Sequence, residues 1–72
     1  MIKMPLSLAE AGVPQIVKKV GGTPEVKKHL ENLGFVAGGE VCVITTLDGN
    51  VIVKVKEARV AVSDELARKI LV

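Results

Sequence analysis

The stretch EVCVITTLDGNVIVKVK, from Glu40 to Lys56, limits the possible folds more than any other part of this chain. Its first half, Glu40–Leu47, is rich in β-branched residues, which suit a pleated, half-buried surface. Its second half alternates: Val51, Val53 and Val55 point one way, while Lys54 and Lys56 point the other with Ile52. Between the halves, Asp48–Gly49 and Asn50 tolerate the positive φ of a tight hairpin turn. A lone hairpin is marginal in water. The remainder of the chain must therefore cover its valine face.

The flanking segments supply the cover. Met4, Leu6 and Leu8 alternate in a short apolar run, expected as a first strand, and Ala9–Gly12 breaks it. Pro14–Val20 reads as a strand of imperfect period, because Ile16 and Val20 share parity with Lys18; a bulge would turn that lysine outward. Gly21–Gly22 end it. Thr23 then suits an N-cap, Pro24 the first helical position, and Glu25 the positive end of the helix dipole. Val26, Leu30 and Leu33 follow at i, i+4 and i+7, which predicts a helix over 23–33 with one apolar stripe. Gly34 is placed as the left-handed stop. Phe35 and Leu30 then occupy the two positions whose side chains touch in a Schellman motif. Beyond the hairpin, Glu57–Ala58 turns the chain into a short strand, Arg59–Val62. Ser63 caps a short helix expected over about 64–70, with Asp64 and Glu65 in its first turn.

Five short strands in 72 residues would leave exposed edges in an open sheet. Ordering costs about 1.5 kcal/mol per residue, and a single cysteine offers no disulfide to offset it. The chain is 49% hydrophobic, enough to close a small core. The expected architecture is mainly β: one domain over 1–72, a five-stranded SH3-like barrel with the 23–33 helix across one opening.

Charge and motifs narrow the function. Ten Lys and Arg against eight Asp and Glu leave a net charge of +2, with the basic residues scattered and one aromatic in the whole chain. Nucleic-acid binding calls for a stronger basic face, with stacking aromatics for single strands, so no nucleic acid is expected. The N-terminus has no apolar signal core and no run is long enough to span a bilayer, so a cytoplasmic location without membrane insertion is expected. One His, one Cys and two Ser make no triad spacing, and GFVAGGE lacks the lysine and hydroxyl of a phosphate-binding loop. Neither enzymatic activity nor a cofactor is expected. His29 with Cys42 offers two metal ligands, and Glu25, His29 and Glu31 are the one group on a single helix; a closed site usually takes four. His29 reads first as a residue at the edge of the apolar stripe and Cys42 as a small strand hydrophobe. Phe35 reads first as a corner residue and second, with Val36, as a docking patch; Ile52, apolar among lysines, is a further docking candidate.

LENLGFVAGGEV and RVAVSDELARKILV together resemble the FeoA family of the ferrous iron uptake system. Leu30, Leu33, Gly34, Gly39 and Val41 fill its helix-to-strand corner, and Ala61, Val62, Ala67, Ile70 and Val72 fill its ending. Ala37 stands where the family often has proline, and Ala58 where it often has glycine or an aromatic. The resemblance implies a non-enzymatic accessory protein that contacts the cytoplasmic GTP-binding region of the FeoB permease; weak self-association is a separate expectation. Alternatives are an iron chaperone, or an interaction module related to the C-terminal domain of iron-dependent repressors. Arg59 and Arg68, the two arginines, do not sit in a Gly-rich loop suited to a catalytic finger.

Overall fold

The computed structural model describes residues 3–72; Met1 and Ile2, which the sequence reading included in the domain, lie outside it. Strands β1 (Pro14–Ile16) and β2 (Lys19–Val20) precede helix α1 (Pro24–Leu33). Strands β3 (Glu40–Leu47), β4 (Asn50–Val55) and β5 (Ala58–Ser63), helix α2 (Asp64–Ala67) and strand β6 (Ile70–Leu71) follow. One antiparallel sheet has the order β1-β3-β4-β5, and a second pairs β2 with β6.

The hairpin forms as its pattern demands. Leu47 pairs with Asn50 across a two-residue turn in which Asp48 and Gly49 have φ of 49° and 79°. Val51, Val53 and Val55 are buried while Lys54 is exposed. A bulge at Ile44 interrupts the register between Val43 and Thr45 and leaves that isoleucine without a partner on β4.

Helix α1 is fixed at both ends by local chemistry. The Val26 backbone N–H donates to Thr23 Oγ1 at 3.3 Å, with Pro24 opening the helix. At the far end Gly34 is left-handed (φ 110°), its N–H donates to the Glu31 carbonyl, and the Phe35 N–H donates to the Leu30 carbonyl, both at 2.9 Å. That pair of bonds is the Schellman stop. Leu30 and Phe35 are both fully buried.

Three sequence expectations change. Met4–Leu8 is not a strand: Met4 and Val72 exchange two backbone hydrogen bonds and Pro5 bridges Leu71, but Leu6–Leu8 then coils into a 3-10 turn. That turn buries Leu6 and leaves Leu8 exposed. Pro14–Val20 is two strands rather than one. The Val17 N–H donates to the Gly39 carbonyl and the Lys18 N–H to the Leu71 carbonyl, so the chain passes from one sheet to the other there. The switch buries both Val17 and Val20 and leaves Ile16 half exposed, which resolves the parity conflict. Finally, the last helix ends at Ala67 instead of reaching residue 70. Ile70 and Val72 alternate as buried residues and Ile70–Leu71 pairs with β2, so strand pairing wins over another helical turn. The barrel therefore has six strands among the described residues.

Four substitutions test these relations. Phe35→Ala empties the corner and lowers unfolding free energy by about 3–5 kcal/mol in urea titration. A Cβ on Gly34 would lie 2.7 Å from Val55 Cγ1, so Gly34→Ala costs about 1–3 kcal/mol. Adding Val55→Ala to it costs less than the two single losses summed. Lys56, a side-chain-bearing residue at φ 57°, carries left-handed strain, and Lys56→Gly raises stability by about 0.5–1 kcal/mol.

Candidate functional site

The four-stranded sheet is the larger of the two, and its outer face is open to partners. Its composition follows from register. Pro14 lies opposite Cys42, Cys42 opposite Lys54, and Lys54 opposite Arg59, so one row crosses all four strands. In the neighbouring row Ile16 lies opposite Glu40. Past the bulge, Thr45, Ile52 and Ala61 form a third row. A groove of about 400 Å³ runs here, lined by Pro14, Glu40, Val41, Cys42, Lys54 and Lys56.

The face is cationic. Lys54, Lys56 and Arg59 are all exposed. Among the described residues the one ion pair is Arg68 to Asp64, at 2.8 Å between exposed positions on and just past α2, so these three cations are unpaired. Glu40 lines the groove without bridging to either lysine. Apolar surface interleaves with the charge: Ile16 is half exposed, Pro14 is exposed, and Cys42 and Ile52 are partly covered.

Of the residues singled out by sequence, Cys42 and Ile52 come together on this face. Phe35 does not join them, because complete burial leaves it no surface to dock with. Val36 stays exposed in the turn after α1, where its carbonyl accepts from the Gly39 N–H at 2.9 Å. Glu25, His29 and Glu31 are exposed on α1. Among the described residues no group of three or more His, Cys, Asp or Glu side chains is placed to hold a metal ion. Pro14, Glu40 and Arg59 were not legible as members of a site. The lysine alternation in β4 announced a charged face, but the residues completing its rows depend on pairings with β1 and β5.

No helix among the described residues is long and apolar enough to cross a membrane. Residues 4–72 match the model of the FeoA domain family. A curated relative from Methanocaldococcus jannaschii, named as a candidate Fe(2+) transport protein A, is 34% identical over 68 residues. That alignment covers 94% of this chain and 83% of the relative. A crystal structure of an iron uptake regulatory protein (FeoA) superposes with a TM-score of 0.88 at 24% identity, covering 97% of this chain and 95% of that one. The FeoA of Stenotrophomonas maltophilia, described as an SH3 domain protein and solved with zinc, gives a TM-score of 0.80 at 25% identity, covering 93% and 86%. The helix-to-strand corner and the C-terminal segment lie within the matched span. With an SH3-like barrel and a family match over nearly its whole length, the chain belongs to the FeoA domain family.

Proposed function

We propose that this chain is a non-enzymatic accessory of ferrous iron uptake, working as one domain at the cytoplasmic face. It binds the GTP-binding region of a FeoB-type permease. The observation that carries this reading is the FeoA match over residues 4–72, supported by a relative whose name assigns it to Fe(2+) transport. A small barrel with a stiff sheet face acts on such a partner by contact. It shifts the permease's assembly or nucleotide state only to the extent that it binds one state more tightly than another.

A direct catalytic part in GTP hydrolysis is disfavoured by where the arginines lie. Arg59 sits within a paired strand, and Arg68 at the end of α2 is tied to Asp64. A catalytic finger supplied in trans must reach the transferring phosphate inside the partner's active site. The test is titration of the permease's cytoplasmic region with this chain, in the absence and presence of a guanine nucleotide. Saturable binding that changes with nucleotide is expected, together with unchanged hydrolysis by the fully bound complex in Arg59→Ala and Arg68→Ala. Absence of binding in every nucleotide state sinks the reading.

The zinc-bound relative favours metal binding as a second reading. Here Glu25 and His29 lie on α1 and Cys42 on β3, and no ligand cluster forms among the described residues. Anaerobic titration with ferrous iron is expected to give weak, non-stoichiometric binding by the monomer. Tight binding at one iron per chain, lost in His29→Ala, would establish the chaperone reading instead.

A further inference from the structure

We propose that the outer face of the β1-β3-β4-β5 sheet docks an acidic, partly apolar peptide segment of a protein partner, held by Lys54, Lys56 and Arg59 over the groove at Cys42. The proposal rests on the reading above only in taking the partner to be a protein. Two independent features of the fold point to this face.

The first is electrostatic. Lys54 and Arg59 face each other directly across β4 and β5. Like charges so placed oppose pairing of the strands, and among the described residues no acidic side chain bridges to either one. The second is conformational. Lys56 holds a left-handed backbone (φ 57°) at the first position of the β4–β5 turn, where glycine or asparagine fits without strain. Both costs fall on one patch, and both come from residues that bring positive charge to it. A carboxylate-bearing ligand relieves the first, and the turn that bears the second places Lys56 at the groove.

The apolar surroundings select the kind of anion. Ile16, Pro14 and Ile52 interleave with the cations, and the groove's volume of about 400 Å³ has room for aliphatic side chains between charged contacts. A nucleic acid is a poorer fit. Three cations neutralise few phosphates, Glu40 stands in the groove, and the chain's one aromatic, Phe35, is buried away from it.

The experiment titrates the whole chain, 15N-labelled, with a capped hexapeptide alternating glutamate and leucine. A matched peptide with glutamine for glutamate serves as control. Amide shifts centred on Cys42, Lys54, Lys56 and Arg59 are expected, weakened by salt and absent with the control. Lys54→Glu and Arg59→Glu, made singly, each place opposite charges across β4 and β5, so their thermal midpoints should equal or exceed the parent's. Each is expected to weaken the acidic peptide by about tenfold.

Shifts scattered elsewhere, equal shifts with the glutamine peptide, or no loss in either variant overturn the proposal. Tighter binding of a single-stranded oligonucleotide or of anionic lipid vesicles on the same amides overturns the assignment to a peptide. The permease's cytoplasmic region is titrated separately. If it binds parent and variants alike, the accessory reading stands and this face is wrong. If it binds neither while the acidic peptide docks here, the face stands and the permease assignment fails.

Discussion

The fold turns on the close approach of Gly34 to Val55. There the end of the helix meets the inward face of the hairpin, and any Cβ would collide with the valine. A left-handed glycine satisfies both demands, stopping the helix and leaving room for the Val55 side chain against its backbone. With that contact made, Phe35 and Leu30 enter the core side by side, and the chain leaves the corner aimed into β3. The two backbone bonds of the helix stop and the burial of the one aromatic are therefore parts of a single device. In a chain with no disulfide, much of the stability depends on it.

The same corner frees the opposite side of the sheet. With Val41, Val43, Val51, Val53 and Val55 committed to the core, an outward position such as Lys54 carries no packing duty. Such a side chain can be chosen for contact instead. The row from Pro14 to Arg59 shows that choice, since it sets two cations against each other and accepts a strained lysine beside them. A sequence optimised for stability alone would place an acid or a threonine at one of those sites.

Much of the architecture was readable from the residues because its signals are local. Thr23, Pro24 and Gly34 mark the helix by hydrogen bonds that close within a few residues, and Asp48–Gly49 marks the hairpin in the same way. The misread segments are those decided at a distance. Pro14–Val20 changes sheets because Gly39 and Leu71 offer it partners on opposite sides, and nothing within that heptapeptide encodes where they lie. Ile70 reads from sequence as the end of a helix, but β2 supplies a strand for Ile70–Leu71 to pair with. The candidate site divides along the same line. Lys54 and Lys56 were visible as an outward alternation, whereas Pro14 and Arg59 join them through register across three strand pairs.

The sequence by itself determined the helix with its two caps, the central hairpin, the valine core face and the resemblance to the FeoA family, since each is carried by spacing within one segment. Tertiary structure alone decided that Phe35 is wholly interior, that the second strand is split, and that two lysines and a cysteine share one groove. The reason is physical. Capping and turn preferences act over a few bonds, whereas burial and strand register depend on which distant residues arrive opposite.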